Sequence, residues 1–219
     1  MTVRKNFDDE LVRLHENLSK MCKIIETMIG DSIEALNNMD RELGAAVNDT
    51  DKAVDELELE IEKQCMRLLW KQQPVAKDLI KITTSLKIIT DLERIGDQAA
   101  DIGEIVTQYP QTRTVTEPKR IRKMSEIAVA MVHQSVEAFL NASLGGADMV
   151  IKTDDEMDDL FNATKSDLIK MMVEDGKTCD EAVSLLMIAK YFEKIGDYAV
   201  NVAEWTKYLV TGVHDKCEE

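Results

Sequence analysis

The stretch LKIITDLERIGDQAADIGEI, residues 86–105, decides the fold, because it returns one hundred residues later as LMIAKYFEKIGDYAVNVAEW, residues 186–205. Eight of the twenty aligned positions are identical, among them Glu93 and Glu193, Ile95 and Ile195, Gly96 and Gly196, and Asp97 and Asp197. Similarity of that length marks two copies of one supersecondary unit. In and just beyond the first copy, Ile88, Leu92, Ile95, Ala99 and Val106 share one face at helical spacing, and in the second Phe192, Ile195, Ala199 and Val202 do so. Each copy therefore reads as a long amphipathic helix.

The same periodicity extends outward. Leu11, Leu14, Leu18, Met21, Ile25, Met28, Ser32 and Leu36 predict a helix of about eight turns beginning near Phe7. Asn37, Asn38 and Asp40 lead to a turn predicted near Gly44, and a second helix is predicted over 45–72 with Val54, Leu57, Ile61, Cys65 and Leu68 on one face. Gln73 and Pro74 break it, and proline in a first turn suits the start of a third helix over 75–108. YPQTRTVTEP, residues 109–118, is the clearest non-helical stretch. Beyond it come a helix over 117–144, a turn at Gly145 and Gly146, a helix over 148–174, a short DGKT turn and a last helix over 179–209. The predicted fold is all-α: two tandem three-helix bundles related by an internal repeat, over 1–110 and 119–219, joined by a linker at 111–118. Such long helices pack along one another at small crossing angles. Whether the bundles lie side by side or end to end is left open.

Composition agrees with this and narrows the function. Hydrophobic residues make up 44% of the 219 and aromatic residues only 5%, so the core is built from Leu, Ile, Val, Met and Ala, which favour helices. The 42 Asp and Glu against 27 Lys and Arg give a net charge of −15, which argues against nucleic acid or an acidic membrane surface as the main partner. The amino-terminal residues lack an apolar signal segment and no run of eighteen apolar residues occurs, so a soluble, cytoplasmic chain without membrane insertion is expected. Cys22, Cys65, Cys179 and Cys217 are far apart in sequence and read as reduced thiols, partly in the core.

The residues that can carry chemistry lie inside the repeat. Glu93, Asp97, Asp101 and Glu104 fall on one strip of their helix, opposite the apolar face, and Glu193, Asp197 and Glu204 occupy the same strip in the second copy, with Asn201 in place of the third carboxylate. On the preceding helix of each repeat Asp51 stands four residues from Asp55, and Asp154 four from Asp158. Like charges at this spacing repel, so something should offset them. All-oxygen sets of this kind suit hard cations such as Mg²⁺, Mn²⁺, Ca²⁺ or ferric iron. Solvated surface is the plainer reading of any single strip; its recurrence in both halves favours a role. Gly96 and Gly196, inside helices, mark close backbone approach, through tight packing or through function.

Other features read as structural. Lys119, Arg120, Arg122 and Lys123 form a basic cluster taken as a solvated helix end, Trp70 and Trp205 are taken as core anchors, and Met171, Met172 and Met187 as core filler. His15, His133 and His214 stand alone, and no nucleotide-binding or nucleophile motif occurs.

At ERIGD, residues 93–97, and EKIGD, residues 193–197, the chain resembles the PhoU family, across essentially its whole length. The resemblance implies a non-enzymatic cytoplasmic adaptor that couples the ATPase subunit of a high-affinity phosphate transporter to a sensor histidine kinase and represses phosphate-starvation genes when phosphate is plentiful. It also implies metal clusters held through Asp51 with Asp55, Glu93 with Asp97, Asp154 with Asp158 and Glu193 with Asp197, with Asp101 beside the first set. The expected ions are Mg, Mn or Fe, and pairing into a homodimer is expected with them. Asn201 stands where Asp101 does in the first repeat, so the two sites need not have equal affinity. Two rivals stand beside this reading: a metal-dependent phosphohydrolase, which needs cations such as Arg94 and Lys194 facing its substrate, and a metal-free helical scaffold.

Overall fold

The computed structural model describes residues 3–72, 74, 76–110 and 119–213; the predicted linker at 111–118 lies outside them, as do His214 and Cys217. Among the described residues six helices follow one another: α1 (Val3–Asn38), α2 (Arg41–Gln72), α3 (Ala76–Gln108), α4 (Lys119–Leu140), α5 (Leu144–Glu174) and α6 (Cys179–Thr211), with a 3-10 turn at Gly176–Thr178. No strand occurs among the described residues. The apolar faces read from the sequence are the core: Leu18, Met21, Ile25, Leu36, Val54, Ile61, Cys65, Leu92, Ile95, Phe192 and Ile195 are all fully buried.

The chain is two three-helix bundles lying side by side. In the first, α2 packs on α1 and α3; in the second, α5 packs on α4 and α6. Across the junction α3 meets α6 and α1 meets α4, so α2 and α5 are outermost. Because α3 touches α1, α2 and α6, its buried residues spread around the helix, and Asp91 and Thr84 are buried along with Ile88 and Val106.

Residue pairs across the α3–α6 seam fix an antiparallel register. Asn201 Nδ2 donates to Asp91 Oδ1 at 3.3 Å, and the Tyr191 hydroxyl donates to Asp101. Between them the Arg94 guanidinium lies 5.7 Å from the Tyr198 ring, and further along Lys87 lies 6.0 Å from the Trp205 ring. Each step forward along α3 is one step back along α6, which sets Gly96 level with Gly196 at the centre. The sequence repeat is thus a pseudo-two-fold repeat in space.

Five expectations are corrected. The first turn lies at Met39 and Asp40, not near Gly44: Asp40 Oδ1 caps α2 by accepting from Leu43 N at 3.0 Å, and Met39 takes the left-handed conformation, φ 56°. Gly44 lies inside α2, where an added Cβ would come within 2.9 Å of Gly103 O. Likewise the second-half turn is at Asn141 and Ala142, with Ser143 capping α5 through Gly146 N at 3.1 Å, so Gly145 and Gly146 belong to the helix. Trp70 is no core anchor, being 87% exposed near the end of α2, whereas Trp205 packs edge-on against Tyr208 at the seam. Met171 and Met172 pack on the core, but Met187 is exposed. The basic cluster is not simply solvated, since Arg120 pairs with Asp167 and Lys123 with Glu156, tying α4 to α5.

These packing distances predict opposite outcomes for one substitution at two glycines. At Gly103 a Cβ would meet Gly44 O at 2.6 Å, whereas at Gly30 nothing lies within 4 Å. Gly103→Ala therefore destabilises the chain by about 1–3 kcal/mol through overpacking, while Gly30→Ala gains roughly 0.5–1 kcal/mol from helix propensity. Urea unfolding of both variants measures the difference.

Candidate functional site

Gly96 and Gly196 each make room for a carboxylate from the neighbouring helix. A Cβ on Gly96 would lie 2.9 Å from Asp51 Oδ1, and one on Gly196 would lie 3.0 Å from Asp154 Oδ1. The close-packing reading of these glycines holds, and what they pack against is the acidic pair of α2 or α5. Asp51 Oδ1 and Asp154 Oδ1 are buried and have no hydrogen-bond partner. An orphaned buried acceptor is costly. Its recurrence at the same place in both repeats marks a shared property of the fold.

In the first repeat Asp51, Asp55, Glu93, Asp97 and Asp101 form one patch between α2 and α3. Asp51, Glu93 and Asp101 are half-buried, and Asp55 and Asp97 are exposed. Desolvation, followed by repulsion from Asp97, Asp55 and Asp101, raises the Asp51 carboxyl to about 6. Desolvation, then repulsion from Asp97, Glu58, Asp55 and Asp51, raises Glu93 to about 7. Asp97 and Asp101 are raised as well, chiefly by desolvation. Glu58, absent from the sequence prediction, joins this patch and is also raised. Its signal was available: it continues the α2 spacing of Asp51 and Asp55 by three residues. Glu104 sits at the patch's edge, exposed, accepting from Gln108 Nε2 at 3.3 Å.

The second patch gathers Asp154, Asp158, Glu193 and Asp197, and Asp154 is raised to about 6, first by desolvation and then by repulsion from Asp158, Asp197 and Glu193. Here two lysines lie on the acids: Lys190 Nζ is 2.6 Å from Glu193, and Lys194 pairs with Asp197. Glu204 does not belong to this patch. It lines a seam cavity of about 290 Å³ with Lys87, Asp91, Arg94, Asn201 and Trp205. Asn201 is turned to the seam too, where its amide serves the buried Asp91; a carboxylate at 201 would face another carboxylate.

The donors suit a hard cation: every one is a carboxylate oxygen, no His or Cys among the described residues joins them, and in each patch one buried oxygen is unsatisfied. Among the described residues no three His, Cys, Asp or Glu side chains already converge as a closed ligand set. The patches are open arrangements in which Asp55 and Asp97 are exposed.

Two outcomes follow for the protein in EDTA. Glu93 and Asp51 have folded-state pKa values above their unfolded ones, so the folded chain holds their protons between about pH 4 and 7 and loses that advantage as pH rises through this window. The melting midpoint should fall across it, and Glu93→Gln should flatten the fall. Asn201→Asp sets a carboxylate against Asp91 and should cost stability at pH 7.5, by at least about 1 kcal/mol, and less at pH 4.5, since repulsion between facing carboxylates favours the protonated form of one. Calorimetric melts at the two pH values check both.

The fold is shared with known proteins. Residues 18–106 and 121–206 each match the model of the PhoU domain. The chain is 36% identical over 210 residues to a phosphate-specific transport system accessory protein PhoU homolog of Clostridium acetobutylicum, covering 95% of this chain and 96% of that protein. It is 33% identical over 211 residues to one of Caulobacter vibrioides, covering 95% and 91%. The crystal structure of PhoU from Pseudomonas aeruginosa superposes with a TM-score of 0.90 at 28% identity, over 94% of this chain and 100% of that one. That of the phosphate transport system regulatory protein PhoU from Streptococcus pneumoniae gives 0.89 at 24%, over 95% and 98%, a likeness of fold. Two matched domains, one per bundle, and relatives aligned nearly end to end place this chain in the PhoU family.

Proposed function

We propose that this chain is a non-enzymatic accessory regulator of high-affinity phosphate uptake, an adaptor between a phosphate transporter's ATPase subunit and a sensor histidine kinase that represses phosphate-starvation genes when phosphate is plentiful. The observation that carries the reading is the end-to-end match to relatives named as accessory proteins of the phosphate-specific transport system. The fold suits an adaptor: long helices with extended outer faces on α2 and α5, and no helix among the described residues long and apolar enough to cross a membrane. We place its action in the cytoplasm, where the ATPase subunit and the kinase would be met, with a homodimer as the working form.

The carboxylate patches are the cation sites of this reading. Asp51, Asp55, Glu93 and Asp97, with Asp101 and Glu58 beside them, would hold cations in the first repeat, and Asp154, Asp158, Glu193 and Asp197 in the second. Magnesium, manganese or ferric ions would supply charge neutralisation there, relieving the repulsion that raises Asp51 and Glu93 and satisfying the orphaned oxygens of Asp51 and Asp154. The phosphohydrolase alternative is less well supported. Of the basic neighbours such a reaction needs, Arg94 is turned to Asp91 and the Tyr198 ring at the seam, and Lys194 is tied down on the patch by the acid Asp197 rather than left to face a substrate.

Mn²⁺ in a hundredfold excess over its Kd should add about 2.7 kcal/mol by linkage, raising the melting midpoint by roughly 5–10 °C in a chain of this size. Glu93→Gln/Asp97→Asn should lose most of that rise, and an unchanged midpoint in the wild type would remove the cation role. Co-purification with the cognate transporter ATPase subunit tests the adaptor role; no association with or without Mn²⁺ would count against it.

A further inference from the structure

The two patches are not equivalent, and the differences lie at matched positions. Three residues beyond Asp55 stands Glu58, whereas three beyond Asp158 stands Phe161; Thr90 of the first repeat corresponds to Lys190 of the second. Thr90 Oγ1 lies 3.5 Å from Glu58 Oε1. In the second repeat Lys190 Nζ sits 5.1 Å from the Phe161 ring centroid and 2.6 Å from both oxygens of Glu193. One repeat therefore adds a carboxylate to its patch, and the other adds an ammonium group propped on an aromatic ring.

The next pair of basic residues diverges for a traceable reason. Arg94 leans towards the seam, where Tyr198 offers its ring and Asp91 Oδ1 lies 4.0 Å away, and acts on Asp97 of the first patch only through its field. At the corresponding places opposite Lys194 stand Gln98 and, in its own helix, Tyr191, which offer neither ring face nor charge in the same positions. Lys194 folds onto its own patch instead, pairing with Asp197 and approaching Glu193 at 3.7 Å.

We propose that Lys190 and Lys194 are built-in counter-cations of the second patch, so that the two patches load metal in order: the first at low cation concentration, the second only when the incoming ion displaces the ammonium groups. The inference rests on reading the patches as cation sites and adds to it a division of labour, in which one patch is held near saturation and the other responds to changes in cation supply. Glu193, only 12% exposed in its side chain, is the acid from which Lys190 must withdraw.

Titration of the full chain with Mn²⁺, following free Mn²⁺ by its solution electron paramagnetic resonance signal, tests the order. The wild type should show two classes of site separated by about tenfold or more in affinity, a difference of about 1.4 kcal/mol. Glu93→Gln/Asp97→Asn should remove the tighter class. Lys190→Thr, which restores the first-repeat residue, should strengthen the weaker class several-fold, while Lys190→Arg should leave it weak. Circular dichroism melts establish that each variant is folded. Sites of equal affinity, a tighter class that survives Glu93→Gln/Asp97→Asn, or a weaker class indifferent to Lys190→Thr would overturn the loading order while the cation reading stands. No retention of Mn²⁺ by the wild type would overturn both.

Discussion

Everything else in this molecule is arranged around the contact of α3 with α6. Two helices of 33 residues each run antiparallel, in a register held by reciprocal polar contacts, Asn201 to Asp91 at one end and Tyr191 to Asp101 at the other. Because each helix is also the inner wall of its own bundle, the seam fixes the direction in which the remaining faces point. Those faces carry the acids. The glycine at the centre of each helix lets α2 or α5 come close enough for Asp51 or Asp154 to rest on bare backbone, and the carboxylate is half-buried as a result.

That placement has an electrostatic cost built in. Six acids, Asp51, Asp55, Glu58, Glu93, Asp97 and Asp101, share the first patch, and desolvation with repulsion from neighbouring acids raises five of them, Asp51, Glu58, Glu93, Asp97 and Asp101. In a marginally stable fold such a concentration of like charge is a strain that packing elsewhere must offset. The core does so with an unbroken apolar interior running through both bundles. The same strain supplies selectivity by charge, because whatever relieves it must be positive.

Much of this was legible in the sequence because helical periodicity is a local signal. The apolar faces of α1, α2, α3 and α6 and the pairing of acids in each repeat follow from spacing alone. What was not legible depends on contacts between elements. The turns were misplaced because Gly44, Gly145 and Gly146 read as punctuation, whereas capping by Asp40 and Ser143 sets the boundaries. A helical wheel put Glu204 and the position of Asn201 on the same strip as Glu193, but α6 is covered on several sides, and the part of the strip near residue 201 is turned to the seam. Glu58 was passed over because it has no counterpart in the second repeat, and repetition was the guide.

The reciprocal contacts at the seam also bear on how a duplicated chain avoids assembling with the wrong half. If two first repeats met through α3 in the register seen here, Asp91 of one would face Asp101 of the other, and Arg94 would meet Gln98 rather than the Tyr198 ring. If two second repeats met through α6, Tyr191 would face Asn201, with no charge to satisfy. Only the mixed pairing gives the buried Asp91 an amide and Asp101 a hydroxyl. The two halves are thus lock and key, each completing across the seam contacts that a second copy of itself could not make.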